Sequence, residues 1–415
     1  MKRVVITGLG TVNPLGSTVE KFWENVKKGT LGVSKIDSFD TTELGVSVAG
    51  IIRDFDPAEY FERKDIRHME RFTQIAVASA IQALQDAGTD FKDMDPYRVG
   101  TIIGCGIGGI GRIEEEHDKY RAKGPGRISP FFVPMMIGNM AAGQVAIRTG
   151  FRGDNFCTTT ACASATHAIG EAFRKIKDGY LDVCLCGGSE STITEFTLGG
   201  FRTMKALTTE SDPAKASTPF DLNRGGFVLG EGSAVLVLEE YEHAKARGAK
   251  IYCELAGYGA TCDAYHMTAP ADECGASSKA MIEAYTEAGG HHLYQCPRHL
   301  HIPERYAGNQ GGEDRSGRGA GTKGEDQLHQ VHDRSHAGRY RCSGSGSLCP
   351  VHSGQLHSPD HRLYHTGSGV RSGLLCGRSG RDAGECRTVQ LAGLRRTQCD
   401  TLLQKVHRLR RIRHE

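Results

Sequence analysis

Composition breaks after Gly290, and that break limits what this chain can fold into more than any motif does. Residues 291–415 hold 13 of the 18 His and 20 of the 51 Lys and Arg, against 11 of the 49 Asp and Glu. They contain no Phe, Trp or Met, and their basic residues are 18 Arg against two Lys. A segment so poor in large apolar side chains cannot offset the entropy of ordering its backbone. It carries a net charge of +9, which leaves −7 for residues 1–290, so the overall +2 is a cancellation of two unlike pieces. The hydrophobic fraction of 38% falls below the usual ~45–50% for the same reason. Roughly 290 residues remain to build a core, ample for a large α/β unit.

Several classes drop out early. No run of about 20 apolar residues exists to span a bilayer. Met1 to Gly10 reads as a strand rather than as a signal peptide. Fourteen Cys would suit a secreted disulfide scaffold only in a much shorter chain. The expectation is a cytoplasmic α/β protein.

The body punctuates itself clearly. Arg3 to Gly8 is a continuous apolar run ending in Gly, the pattern of a buried strand. Ile75, Ala76, Ala80, Ile81 and Leu84 recur at helical spacing and predict a helix over Arg71–Ala87, stopped by Gly88. Further strands are expected at Val99–Ile103, closed by Gly104-Cys105-Gly106, at Leu181–Cys186, closed by Gly187-Gly188, and at Ser233–Glu239. Strands alternating with helices predict a largely parallel sheet covered on both faces. Gly8-Leu9-Gly10 invites a dinucleotide-binding reading, but the third glycine of that fingerprint would fall on Asn13. Tight-turn glycines are the expected account.

The densest chemical signal is Thr158-Thr159-Thr160-Ala161-Cys162-Ala163-Ser164-Ala165. Ala165, Ala168, Ile169, Ala172, Phe173 and Ile176 follow at helical spacing, and Asp178-Gly179 ends the run. Cys162 therefore stands at or near a helix N-terminus, where partial positive charge favours thiolate. Small neighbours would let a bulky thioester approach. A buried structural cysteine is the commoner fate of such a residue, and Cys157 is expected to be one. Spacing alone leaves both readings of Cys162 open, since no base is visible beside it.

Thr160-Ala161-Cys162-Ala163-Ser164 resembles the nucleophile segment of the β-ketoacyl-acyl-carrier-protein synthases. Val4 to Gly16, Cys105 to Gly109, Gly187-Gly188-Ser189-Glu190, Ser217 to Gly232, Glu242-His243-Ala244 and Asp263-Ala264-Tyr265-His266 match the same family in order. The likeness runs over residues 1–289 and is nearest the type II elongating synthases of dissociated fatty-acid synthesis. It implies an α/β thiolase-like fold, layered αβαβα, of two similar halves, normally a homodimer. It implies that Cys162 takes an acyl chain from acyl carrier protein. Malonyl carrier protein then loses carbon dioxide, and the carbanion attacks the acyl thioester to give a 3-oxoacyl product. The family uses two His, a supporting Lys and an oxyanion hole of backbone amides that includes the Cys162 N–H. No cofactor and no metal are implied. The resemblance places Ile107, Phe132 and Phe201 near an acyl pocket. It makes Arg63, Lys64, Arg67 and Arg71 candidates for docking the acidic carrier protein, three of them recurring at helical spacing.

The family's His-Gly-Thr-Ser-Thr, Gly-His and Gly-Phe-Gly-Gly motifs do not occur in residues 290–415. The genetic code explains their absence. With permitted codons, Pro297 to Arg305 read one nucleotide later gives His-Gly-Thr-Ser-Thr-Ser-Arg-Asn. The same shift turns Asp326 to Arg341 into Ile-Asn-Ser-Thr-Lys-Ser-Met-Thr-Gly-His-Thr-Leu-Gly-Ala-Thr, and Gly393 to Thr401 permits Gly-Phe-Gly-Gly-His-Asn-Ala-Thr. All three motifs return in one shift direction and in family order. The reading frame therefore changes close to Gly289–Cys296, and the arginines of the tail have a mundane origin. Residues 1–250 are expected to form the half carrying the nucleophile, 251–289 the start of the other half, and 290–415 a disordered out-of-frame tail. His357, His361 and His365 at i, i+4, i+8 lack an apolar stripe to make a metal-binding helix. Arg395-Arg396 and Arg408 to Arg413 raise nucleic-acid binding as an alternative, which the shifted frame already accounts for. The other alternative is a catalytically dead relative that only binds carrier protein.

Overall fold

The computed structural model describes residues 1–271, 274–289, Gly373–Gly377 and Thr388–Gln390, all within one compact unit. Ten strands are present among them: β1 Val4–Val12, β2 Ser34–Lys35, β3 Val48–Ala49, β4 Val99–Gly104, β5 Asn155–Phe156, β6 Val183–Glu190, β7 Gly232–Glu240, β8 Cys253–Gly259, β9 Gly373–Gly377 and β10 Thr388–Gln390. Eight make one sheet in the order β10-β9-β8-β1-β7-β6-β4-β5, and β2 pairs with β3 separately.

The sheet is mixed, not largely parallel as the alternation of elements predicts. β4 runs parallel to β5 and β6, but β7 lies antiparallel to both β6 and β1. β8 is antiparallel to β1, and β9 to β8. The reason is the long excursion between Glu190 and Gly232. It brings the chain back at the end of the sheet where β6 finished, so β7 returns alongside β6 like the second arm of a wide hairpin.

Both faces of the sheet are covered, and strand alternation sorts side chains between them. Val183, Leu185, Val235 and Val237 face the Arg71–Ala87 helix and its Phe72, Ala76, Ala80 and Ala83. Cys184, Cys186 and Leu238 face the other way, against Ala168, Ala172, Phe173 and Ile176 of the Ser164–Lys177 helix. The helix expected at Arg71–Ala87 has those limits, and Gly88 closes it with a left-handed φ of 71°.

Gly8 and Gly10 lie inside β1, not in a tight turn. A Cβ at Gly8 would stand 2.1 Å from the Ala83 carbonyl oxygen, and one at Gly10 would stand 1.9 Å from that of Ser79. The two glycines let the helix lie flush on the strand. The device recurs later in the chain. Gly257 and Gly259 of β8 would each place a Cβ 2.0 Å from a carbonyl oxygen, of Ala284 and Ala280, in the Gly275–Glu287 helix. The residue between each glycine pair donates its N–H to a carboxylate near the helix end: Leu9 to Asp86 and Tyr258 to Glu287, both at 2.9 Å. The helices close on Ala87-Gly88 and Ala288-Gly289. β8 and its helix thus repeat β1 and its helix, contact for contact.

Candidate active site

The site is built where β4, β5 and β6 end, on the side toward which parallel strands point their carboxyl ends. Beyond β5 the chain passes Cys157 and Thr158 and makes one 3-10 turn, Ala161–Ala163, which runs directly into the Ser164–Lys177 helix. Cys162 sits in that turn and is exposed.

The ends of β4 and β6 carry no side chains where the helix lands. A Cβ at Gly104 would lie 2.3 Å from the carbonyl group of Ser164, and one at Gly188 would lie 2.5 Å from the Ala165 Cβ. Gly187 and Gly188 are therefore packing residues, and β6 does not stop at them but continues to Glu190. Hydrogen bonds brace the turn above this floor. The Thr160 N–H donates to Ser164 Oγ at 2.9 Å, Ser164 Oγ donates to the Ala161 carbonyl at 2.7 Å, and Thr158 Oγ1 donates to the Ser164 carbonyl at 2.8 Å. Ala161 is held at a φ of 49°, an uncommon conformation for alanine. The turn is over-determined, and it delivers the Cys162 side chain outward.

The neighbouring thiols behave differently. Burial pushes the Cys105, Cys157, Cys184 and Cys186 thiols up, away from the nucleophilic form. Cys157 is half-buried against the Cys105 and Thr158 carbonyls, as a structural cysteine would be. Of these five, only Cys162 is open to a reactant.

Sequence reasoning gave Glu190 no role. Its carboxylate accepts the N–H groups of Gly106 at 2.8 Å, Ile107 at 2.9 Å and Gly108 at 3.1 Å, and the Cys105 thiol stands 3.5 Å away. Three consecutive amides make an anion-binding nest. Burial raises the carboxyl's pKa, and the three amides oppose that rise. The available signal was an acidic residue at the end of an apolar strand, which needs a partner when buried.

The remaining candidates scatter. Ile107 lies in the nest, 44% exposed. Phe132 opens the short Phe132–Met136 helix, whose Met136 carbonyl accepts the Gly109 N–H at 3.0 Å, so the two belong to adjoining elements. Phe201 packs elsewhere, with Ile36, Leu198, Leu207 and Leu229, edge-on to Phe227 at 5.6 Å. The structure does not gather the three into one cluster. The basic residues do not share a helix face either. Arg63 and Lys64 lie on the four-residue Arg63–Ile66 helix, Arg67 follows it, and Arg71 starts the next helix. Arg63, Lys64 and Arg67 are exposed. Arg71 is locked by Glu231, at 2.8 and 3.0 Å, and donates to the Ile52 carbonyl.

Among the described residues no group of His, Cys, Asp and Glu is arranged to hold a metal ion, and no helix is long and apolar enough to cross a membrane. His357, His361, His365, the arginine clusters and the codon-shifted motifs lie outside the described residues.

Comparison with known proteins gives one answer. Residues 1–244 match the family described as "Beta-ketoacyl synthase, N-terminal domain". The chain is 44% identical over 289 residues to the 3-oxoacyl-[acyl-carrier-protein] synthase 2 of Synechocystis sp., covering 69% of this chain and 70% of that protein. It is 47% identical over 288 residues to the synthase of the same name from Staphylococcus aureus, with the same coverage. A beta-ketoacyl synthase from Burkholderia phymatum superposes with a TM-score of 0.63 at 35% identity, covering 70% of this chain and 71% of that one. The ishigamide ketosynthase/chain length factor gives 0.64 at 31% identity, over 69% and 70%. The relatives are condensing enzymes, and nothing among them favours the nucleic-acid-binding alternative. With a family match over residues 1–244 and 44–47% identity to two synthases over 288–289 residues, the chain belongs to the beta-ketoacyl synthase family.

Proposed function

We propose that this chain is, by descent, a 3-oxoacyl-[acyl-carrier-protein] synthase of fatty-acid elongation with Cys162 as its nucleophile. The observation that carries the assignment is the exposed Cys162 turn set at the start of a 14-residue helix, in a chain 44–47% identical to synthases of that name.

The reaction has two stages. The Cys162 thiolate attacks the carbonyl of an acyl group borne as a thioester on carrier protein. The tetrahedral oxyanion collapses and expels the carrier's thiolate, leaving acyl-Cys162. The Cys162 N–H is the amide that the family resemblance assigns to that oxyanion, with a second from the Gly-Phe-Gly-Gly loop of the restored frame. In the second stage a malonyl carrier thioester loses carbon dioxide, and the resulting enolate attacks acyl-Cys162. A carbon–carbon bond forms, the Cys162 thiolate leaves, and 3-oxoacyl carrier protein is released. That stage needs the His pair and Lys, which appear only when the tail is read one nucleotide later. The chain as written therefore performs acyl transfer and not condensation. The frame-restored chain performs both.

The partner follows from charge and from a neighbour. A type II PKS ketosynthase solved in complex with its acyl-carrier protein, and bound to the hexaketide, superposes at a TM-score of 0.63 and 32% identity. Arg63, Lys64 and Arg67 are exposed toward an acidic carrier protein, Lys64 through a solvent-exposed pair with Glu62 at 3.0 Å, whereas Arg71 is engaged by Glu231. A homodimer and a cytoplasmic, reducing setting complete the reading.

The test uses intact-protein mass spectrometry and a condensation assay with acyl and malonyl carrier proteins. An acyl adduct that disappears in Cys162→Ala, with 3-oxoacyl product only after the frame is restored, is expected. Product from the unaltered chain would overturn the frame reading. A frame-restored chain that never acylates Cys162 would overturn the nucleophile.

A further inference from the structure

The braces on the Cys162 turn run to Ser164, at the head of its own helix. A second support comes from the Cys105–Gly109 loop. The Cys105 N–H donates to the Thr158 carbonyl at 3.1 Å. Gly106 then meets Ala161: a Cβ at Gly106 would stand 3.6 Å from the Ala161 carbonyl oxygen and 3.7 Å from its Cα. The same Cβ would stand 3.0 Å from Glu190 Oε2, so Gly106 is where the nest and the turn come together. Glu190 Oε2 accepts the Gly106 and Ile107 N–H groups, and Oε1 accepts that of Gly108. The far end of the loop is tied separately, by the Gly109 N–H to the Met136 carbonyl at 3.0 Å.

The peptide between Ala161 and Cys162 is planar, so whatever holds the Ala161 carbonyl also aims the Cys162 N–H. Ser164 Oγ holds that carbonyl at 2.7 Å, and Gly106 packs beside it. We infer that Glu190 is a positioning residue for acyl transfer: by anchoring Gly106 against Ala161 it fixes the direction of the Cys162 N–H. The inference rests on the acyl-transfer reading of Cys162, in which that N–H receives the oxyanion. The φ of 49° at Ala161 gives the anchor something to hold, because a left-handed alanine persists only where its surroundings enforce it. Losing the carboxylate leaves both loop ends tied and the glycine floor intact, so the fold survives while the Ala161–Cys162 peptide tilts.

The experiment compares two reactions of Cys162 in the full chain, both read by intact-protein mass spectrometry. Single-turnover acylation by hexanoyl carrier protein develops an oxyanion at the thioester carbonyl. Alkylation by iodoacetamide does not, since the thiolate displaces iodide from carbon. Glu190→Gln keeps the reach of the side chain but presents an NH2 group to amide donors. Its acylation rate at saturating carrier protein is expected to fall about tenfold, a fraction of the loss when an oxyanion donor is removed outright. The half-saturating carrier concentration and the alkylation rate should each change by less than about twofold, as for an interaction made only in the transition state. Gly106→Ala keeps Glu190 but crowds it, and it carries the test should Glu190→Gln not fold. It is expected to slow acylation about threefold, with alkylation again spared. The double variant should lose no more than Glu190→Gln alone, because both act through one contact. Equal loss in both reactions, a change in half-saturation alone, no loss, or single losses that multiply in the double variant would each overturn the inference. A parent chain that iodoacetamide alkylates at Cys162, yet that accepts no acyl group, would break the acyl-transfer reading and this inference with it.

Discussion

The strand–helix pair at the start of the chain and the one at residues 253–287 are built alike, yet only the first leads into chemistry. Each seats a helix on two strand glycines and pins the strand with a carboxylate from the helix end. On the side of the first pair the sheet continues through β7, β6 and β4, and the Cys162 turn and the Glu190 nest lie at the ends of β4 and β6. The second borders β9. The contrast teaches that one packing device serves two places in a sheet, while a reactive site requires several strand ends and a helix start to arrive together. The surroundings of the two carboxylates also differ. Asp86 meets Tyr252 and the exposed Lys250, whereas Glu287 meets the well-covered Lys177 at 2.7 Å.

The sharpest way to break the equivalence is to fill the glycine positions. Gly10→Val and Gly257→Val each force a side chain into a backbone carbonyl, and overpacking of this kind costs about 3 kcal/mol or more. Urea unfolding of the full chain should show both losses. A harmless Gly257→Val would show the second pair to be a likeness without the same constraint.

Removing the carboxylates comes next in size. Asp86→Ala and Glu287→Ala each strand a strand N–H, a loss of about 1–3 kcal/mol. Glu287→Ala should be the costlier, because Lys177 beside it is as covered as Glu287 itself, whereas Lys250 is mostly exposed and worth little. Equal losses in urea midpoint would refute that ordering.

The smallest effect is a pH effect confined to the first half. The Arg98 guanidinium, with Lys2 beside it, pulls the Asp182 carboxyl from its ordinary 3.8 down to about 2. A folded-state value below the unfolded one means the stabilisation is present above about pH 4 and is lost as pH falls toward 2. Asp182→Asn should flatten that part of the stability curve. An unchanged slope would show that Asp182 carries none of it.

The Arg71–Ala87 helix was legible because its apolar stripe and its Gly88 stop are local signals. Cys162 was legible through helical spacing beyond it and through family likeness. What sequence could not show depends on partners far along the chain. Gly187-Gly188 reads as punctuation until Ala165 is seen pressed against it. Gly8 and Gly10 read as a turn until Ser79 and Ala83 arrive above them. Arg71 reads as a surface cation until Glu231, 160 residues away, closes on it. β7 reads as one more parallel strand because nothing local records which end of the sheet the chain re-enters. Glu190 closes the Gly187-Gly188-Ser189-Glu190 segment without showing its task, since a nest of amides leaves no trace in side-chain identity.

The bare strand ends under Cys162 bear on how such an enzyme can diverge. At Gly104 and Gly188 even a methyl group is excluded, so drift there is closed and selection has nothing to work with. A lineage seeking a different substrate inherits a floor it cannot remodel. Heritable variety is left to the neighbouring loop at Ile107, whose side chain is open and where a substitution can be tried without dislodging the Cys162 turn.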